Sequence, residues 1–246
     1  MSKTADVLTN YSDDDLTFFA LIYKNYEATA ECLADLRQHY SASRVILRSD
    51  GDPDPRLAIL AELNQADFRG EQRLFGIEHG GAVIERMLVL FLEKPTRYLL
   101  KIDPDTVIHR RFQYLPLRRG LFGTLQGGPV TPSIQGGCMG FTRETAEQIL
   151  QSGMLRDSRL KEPDKFIHNS PYFVRMTRRV ERCGLASFDW IIAWIAIELE
   201  IPMYPFDEVN SSWLKAPANP DQRYAVSHPR ADTVERPGAA LVPPIF

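Results

Sequence analysis

Cysteine is scarce in this chain, and what there is does not suggest pairing. Three cysteines, Cys32, Cys138 and Cys183, are spread over 246 residues without Cys-x-x-Cys spacing. That excludes a disulfide framework and offers no zinc-ligand pattern, so reduced and mostly buried thiols are expected. Long apolar runs are missing too: the longest, Trp190 to Ile197, is far too short to cross a bilayer. Strong charge of either sign is absent, the formal net charge being -3, which gives no electrostatic case for binding nucleic acid. The local basic pairs Arg110-Arg111 and Arg118-Arg119 read as solvated edges, with an anionic substrate or a membrane surface left open. The first fifteen residues, polar and acidic, lack the basic start and apolar stretch of a signal peptide. A cytoplasmic protein is expected, with peripheral membrane contact left open, and the glycosylation patterns at Asn10-Tyr-Ser12 and Asn210-Ser-Ser212 then carry no meaning. Phosphate-binding Gly-x-x-x-x-Gly-Lys loops, a Gly-x-Gly-x-x-Gly after the first strand, nucleophile elbows, repeats and heptads are all lacking.

What is present suits one large α/β domain, or two small ones, with a substantial core. Leu16 to Tyr23 has the aromatic and branched content of a buried strand. Tyr26 to Tyr40 then places Ala30, Leu33, Ala34 and Leu36 at helical spacing. Arg44 to Leu47 reads as a second strand, making a strand-helix-strand unit with a parallel pair. Further on, the pattern predicts a helix over 57–64 and a strand or extended loop over 73–77. Glu78-His79-Gly80-Gly81 then opens a helix from Ala82 to Glu93, stopped by Lys94-Pro95. Two glycines at a helix start let a ligand approach free backbone N–H groups, so Gly80 and Gly81 are candidates for holding ribose or phosphate; helix-sheet packing explains them equally well. His79 reads as a surface or capping residue.

The stretch around which the chain is organised is Tyr98-Leu-Leu-Lys-Ile-Asp-Pro-Asp-Thr-Val-Ile108. An apolar strand ends in an acidic turn and resumes as a second β-branched run. Alternate residues of extended chain point the same way, and Pro104 biases Asp103 to an extended conformation, so both carboxylates can face one cation. Such oxygen donors suit Mg²⁺ or Mn²⁺, whose shell is commonly completed by substrate phosphates. Ser49-Asp50-Gly51-Asp52-Pro53-Asp54 is a second acidic cluster and the main competitor for a metal. Composition alone does not choose between the two.

Lys101-Ile-Asp103-Pro-Asp105, after a hydrophobic strand and a long helix, resembles the Asp-x-Asp motif of GT-A-fold, nucleotide-sugar-dependent glycosyltransferases. The resemblance follows the order of elements from Leu16 to His228, but only Lys101 to Asp105 is motif-grade. It implies a GT-A-like single α/β domain with a central, mostly parallel sheet flanked by helices. Residues 16–235 would form it, 16–111 as nucleotide-binding half and 112–235 as acceptor half, between tails at 1–15 and 236–246. It implies transfer of a sugar from a nucleoside diphosphate sugar, a UDP-sugar being the commonest, to a hydroxyl acceptor. Asp103 and Asp105 would hold Mn²⁺ or Mg²⁺, with Asp103 and Lys101 also on the donor. Asp50 becomes a candidate acceptor for the base N–H; the alternative is a turn with no ligand. Gly136 and Gly137, in the glycine-rich strand Ser133 to Thr142, would line the donor-sugar pocket, unless they serve a tight bend. Thr142 reads as N-cap of the helix over 143–151.

Asp189 opens an apolar helix and matches the catalytic-base position of inverting enzymes of this family, although Phe188 stands where the motif's first acid would be. A carboxylate in the first turn of a helix is also a common structural pattern. His228, in an otherwise unpatterned loop, matches the histidine that many of these enzymes return to the metal; a free surface histidine is the alternative. His168 is a lesser candidate for the base, and Lys215, Arg223 and Arg230 are cations that could meet a diphosphate. A nucleotidyltransferase on a related sheet remains a rival, although Tyr23-Lys-Asn-Tyr26 lacks its glycine- and lysine-rich loop, as does a non-catalytic nucleotide- or carbohydrate-binding domain.

Overall fold

The computed structural model describes residues 7–52, 54–73, 79–127, 132–157, 188–212, 219 and 223–230. Their elements run β1 (Val7–Leu8), β2 (Leu16–Ile22), α1 (Tyr26–His39), β3 (Arg44–Asp50), α2 (Arg56–Leu63), β4 (Asp67–Glu71), α3 (Gly80–Leu92) and β5 (Tyr98–Ile102). There follow β6 (Val107–Ile108), β7 (Leu115–Pro116), β8 (Leu121–Gln126), β9 (Ser133–Thr142), α4 (Arg143–Gln151), α5 (Phe188–Glu198), β10 (Met203–Pro205), β11 (Val209–Ser211) and β12 (Val226–His228).

Seven strands form the central sheet, in the order β10-β8-β9-β5-β2-β3-β4. All neighbours are parallel except at β9, which runs antiparallel to both β5 and β8. This is the α/β class with a mostly parallel sheet expected from the sequence. The chain enters at β2, lays β3 and β4 on one side, then crosses to place β5 on the other. Where successive crossovers depart in opposite directions, a crevice opens beyond the carboxyl ends of the strands. Here it falls between β2 and β5, which is where the Asp103 turn emerges.

Strand alternation divides the core. Leu16, Phe18, Ala20 and Ile22 of β2 join Tyr98, Leu100 and Ile102 of β5 in one apolar cluster with α1 and α2. Phe19 and Leu99 face the other way, into a cluster with Ile84, Met87 and Phe91 of α3, Ile149 of α4 and Ile191 to Ala196 of α5. Each fully buried phenylalanine or leucine contributes about 1.5–3 kcal/mol, so the sheet is held from both faces.

Several elements depart from the sequence reading. β4 lies at Asp67–Glu71, where no strand was expected, while residues 74–77 of the strand or extended loop expected over 73–77 fall outside the described set. Only Phe68 is apolar in it, because an edge strand needs one paired side; Arg48, wholly buried on β3, holds it through Asp67 at 3.2 Å and Glu71 at 3.5 Å. Helix α3 begins at Gly80 rather than Ala82, with both glycines buried inside its first turn and His79 at the N-cap position without a side-chain capping bond. Thr142 does sit at the N-cap of α4, but its hydroxyl lies 3.0 Å from that of Thr145 and accepts from the Gly120 N–H rather than capping. In the leading segment, Val7–Leu8 pairs with Leu115–Pro116, and Asp13 meets Arg111 at 2.5 Å. Cys32 and Cys138 are free and buried; Cys183 lies outside the described residues. No helix among the described residues is long and apolar enough to cross a membrane.

Candidate functional site

Beyond Ile102 the chain turns sharply. The Asp103 N–H donates to the Gly137 carbonyl at 3.0 Å, and the Thr106 N–H donates back to the Asp103 carbonyl at 3.1 Å. The Thr106 hydroxyl donates to the same Gly137 carbonyl at 3.2 Å, tying the turn to β9. The chain then leaves the main sheet as β6 and enters a three-stranded sheet of order β11-β12-β6. In the antiparallel β12–β6 pair, Val226 stands opposite Ile108 and Ser227 opposite Val107. The next residue of β12 therefore sits over the acidic turn, and that residue is His228.

The three side chains converge. His228 Nε2 lies 3.2 Å from Asp103 Oδ2 and 3.2 Å from Asp105 Oδ1, and one donor atom from each residue falls within 4.8 Å of the others. The side chain of Asp105 is 2% exposed and that of Asp103 35%, so the cluster opens to solvent on the Asp103 side. Two carboxylates and an imidazole suit Mn²⁺ or, less naturally, Mg²⁺, and three protein donors leave positions for phosphate oxygens. The residues present thus fit the ion that the sequence implies.

Charge within the cluster is balanced by its own members. Burial opposes ionisation of Asp103, but Lys101 and then His228 outweigh it and hold the carboxyl well below the usual range. Burial likewise opposes the Asp105 charge, and the hydrogen bond and charge of His228 keep that carboxyl low. Burial alone would depress His228, yet its hydrogen bonds to the two acids raise it to about 9. Near neutrality a proton therefore occupies the place a cation would take between these groups.

Strand β9 supplies the floor of the site. A side chain on Gly137 would strike the His228 imidazole, and one on Gly136 would strike the Asp189 carboxylate. The Gly136 N–H donates to Asp189 Oδ2 at 3.0 Å, and the Gly136 carbonyl accepts from Lys101 Nζ at 2.5 Å. Lys101 also pairs with Asp103. A chain of contacts thus links Asp189, Gly136, Lys101 and Asp103. Burial pushes the Asp189 carboxyl up, partly offset by the Lys101 charge and reinforced by that of Asp103. The glycines give β9 the closeness these contacts require.

Other residues singled out in the sequence lie elsewhere. Asp50 ends β3, beside β2, and is buried; it shares the carboxyl edge of the parallel strands with Asp103. Gly80 and Gly81 open α3, which packs with α4 and α5. Arg230 is turned away from the acidic pair: its side chain meets Asp35 at 2.6 Å and Glu31 at 3.2 Å on α1, so the expected contact with a diphosphate is not its arrangement here. The Arg223 guanidinium lies over the Tyr224 ring, 5.3 Å from its centroid. His168 and Lys215 lie outside the described residues.

Two residues that the sequence reading passed over stand beside His228. Ser211 is its parallel partner on β11, with Oγ 3.2 Å from His228 Nδ1, and the Ser211 hydroxyl donates to Gln135 Oε1. Gln135 was legible as an oddity, a long polar side chain in a ten-residue strand that is buried throughout. Such a group demands a partner.

No protein-family model matches this chain, and no curated protein does. Among solved structures it is similar to a mannosyltransferase from Pyrobaculum calidifontis in complex with GDP-Man and Mn²⁺, at 16% identity and a TM-score of 0.43. The match covers 55% of this chain and 46% of that one, so the chain spans about half the length of the protein it matches.

Proposed function

We propose that the chain is a metal-dependent glycosyltransferase, moving a sugar from a nucleoside diphosphate sugar to a hydroxyl acceptor. The observation that carries this reading is the convergence of Asp103, Asp105 and His228 at the crevice between β2 and β5. Two distant stretches of sequence have no structural need to bring two acids and a histidine together at the carboxyl edge of a parallel sheet.

Asp103, Asp105 and His228 would hold the ion, Mn²⁺ suiting the imidazole better than Mg²⁺. A divalent cation so held neutralises charge that builds on a departing diphosphate. Asp103, the more exposed acid, faces the donor. Asp50 supports the nucleotide base, with Gly80 and Gly81 near ribose or phosphate, in the half spanning 16–111; the half spanning 112–235 shapes the acceptor side. Lys101 acts first as counter-ion to Asp103, keeping that carboxylate ionised and aimed.

Asp189 is the base. As the acceptor oxygen bonds to the anomeric carbon, the bond from that carbon to the diphosphate breaks and the hydroxyl proton passes to the Asp189 carboxylate. The upward push of burial on this carboxyl improves it as a proton acceptor, and the Gly136 N–H fixes its direction. UDP is the expected carrier, and the cytosol the expected compartment.

Calorimetry with Mn²⁺ and UDP tests the reading. Nucleotide binding that requires metal, together with slow hydrolysis of a sugar nucleotide, is expected; binding without any turnover would instead indicate a non-catalytic module. Screening UDP- and GDP-sugars for thermal stabilisation in the presence of Mn²⁺ identifies the donor, because a ligand raises the melting point according to its affinity.

A further inference from the structure

We propose that Ser211 and Gln135 are positioning residues that fix the tautomer of His228 so that its Nε2, and not its Nδ1, is offered to the metal. The inference rests on the metal-site reading above and extends it to two side chains outside the acidic motif and its histidine.

The argument starts from a group that can only donate. The Gly137 N–H points at the Gln135 side chain at 2.6 Å, so the amide oxygen, not the amide nitrogen, must occupy that position. With the oxygen placed there, Gln135 Oε1 is an acceptor for Ser211 as well. A serine hydroxyl has one proton, and this contact uses it. Towards His228, Ser211 Oγ therefore has only lone pairs to offer, and the 3.2 Å contact requires a proton on Nδ1. When the imidazole is neutral its other nitrogen then carries the lone pair. That nitrogen is Nε2, which lies between Asp103 and Asp105.

Polarity thus passes from a backbone amide through two buried side chains to a ring nitrogen, each step set by the one before. Both relay residues are buried, at 6% exposure for Gln135 and 5% for Ser211, so water does not compete for these bonds. The backbone holds the relay in place. The Ser211 N–H donates to Thr124 Oγ1 at 2.8 Å, and the Ser212 N–H donates to the His228 carbonyl at 2.8 Å. Gly137 serves twice, giving the amide that orients Gln135 and leaving room for the ring. Outer partners of metal-bound histidines commonly change affinity by 10- to 100-fold when removed.

The test is Mn²⁺ binding to the full chain without nucleotide, followed by calorimetry or electron paramagnetic resonance. Ser211→Ala is expected to weaken Mn²⁺ about 10-fold or more, while Ser211→Thr, which keeps the hydroxyl, stays within about threefold of wild type. Ser211→Ala added to His228→Ala should cost nothing further, since the relay acts only through the ring. Unchanged affinity in Ser211→Ala beside a large loss in His228→Ala would overturn the relay and leave the metal site standing. Unchanged affinity in His228→Ala would remove the metal-site reading itself. A measurement on wild type guards against variants that fail to fold. In Zn²⁺-loaded protein, long-range ¹H–¹⁵N correlation of His228 should show a protonated Nδ1 and a metal-bound Nε2; the reverse assignment overturns the proposal.

Discussion

Two acidic turns leave the same edge of the same parallel sheet, one after β3 and one after β5, and they end differently. After β3, the carboxylates are committed to their own neighbourhood. Asp52 accepts from the backbone N–H of Lys24 at 2.5 Å and of Asp54 at 3.0 Å. Asp54 accepts from the Arg56 N–H at 2.9 Å and from its guanidinium at 2.7 Å, shaping the entry to α2. Ser49 and Asp52 close the turn with hydrogen bonds in both directions. After β5, Asp103 and Asp105 reach instead across the fold, to a histidine more than a hundred positions later. Aspartate content says nothing about which turn is a site. The distinction lies in whether the carboxylates are spent on backbone and arginine donors around the turn or converge with a histidine.

That contrast can be broken by experiment. The largest effect is expected for Asp105→Ala, which removes a buried ligand and should weaken Mn²⁺ by about 100-fold or more, whereas Asp52→Ala should leave Mn²⁺ affinity within about twofold; the bound is an order-of-magnitude expectation for a ligand against a bystander. Equal losses in both, read by calorimetry, would erase the difference between the turns.

Next is the pH dependence of the β5 site. The His228 proton competes with the cation for Nε2, so Mn²⁺ affinity should climb with pH and level off above about 9. From pH 6.5 that is a rise of about two orders of magnitude, at up to tenfold per pH unit. For the metal-free protein the sign is reversed. His228 is raised in the folded state, so its contribution to stability is complete below the unfolded value near 6.5 and is lost as pH rises through about 9. Denaturation of wild type against His228→Gln across that window should show the gap closing. Asp103, whose carboxyl is held low, contributes stability above the ordinary carboxylate range that is lost towards strongly acid pH.

Gly137→Ala should follow. Its Cβ would meet the His228 ring, and the crowding is expected to cost about 1–3 kcal/mol of stability, together with weaker metal binding. Urea denaturation reads the first and calorimetry the second; a variant as stable as wild type would show that the ring can move. Smallest is the effect of Asp52→Ala on stability. Loss of its hydrogen bonds to two backbone amides should lower the unfolding free energy by about 1 kcal/mol, with the metal site intact.

Much of the molecule could be read in advance, and the reasons are local. β2 and β5 were legible as short apolar runs of strand composition, and α1 and α4 because their apolar residues recur at helical spacing. β4 was not, since a strand of sequence Asp-Phe-Arg-Gly-Glu at the sheet edge owes its place to backbone pairing with β3 and to Arg48. β10, β11 and β12 are three residues each, too short to carry a pattern, and β10 and β12 pair with strands remote in sequence, β8 and β6. Asp103 and Asp105 were singled out by the resemblance of Lys101 to Asp105 to a family motif, and His228 by the place of a histidine late in that family together with its isolation in a patternless stretch. Ser211 and Gln135 were invisible as a pair, because nothing in either neighbourhood refers to the other.

By itself, the sequence determined that two carboxylates would stand in a turn at the end of a buried strand, since the apolar run to Ile102 and the proline between the acids act over a few residues. Which cation partners they meet was decided only in three dimensions. The register of β12 against β6 carries His228 over the turn, and the absence of side chains at Gly136 and Gly137 lets Asp189 and His228 settle against β9. Periodicity is a property of neighbours along the chain. Convergence of donors depends on strand pairing and excluded volume between segments that the linear order keeps apart.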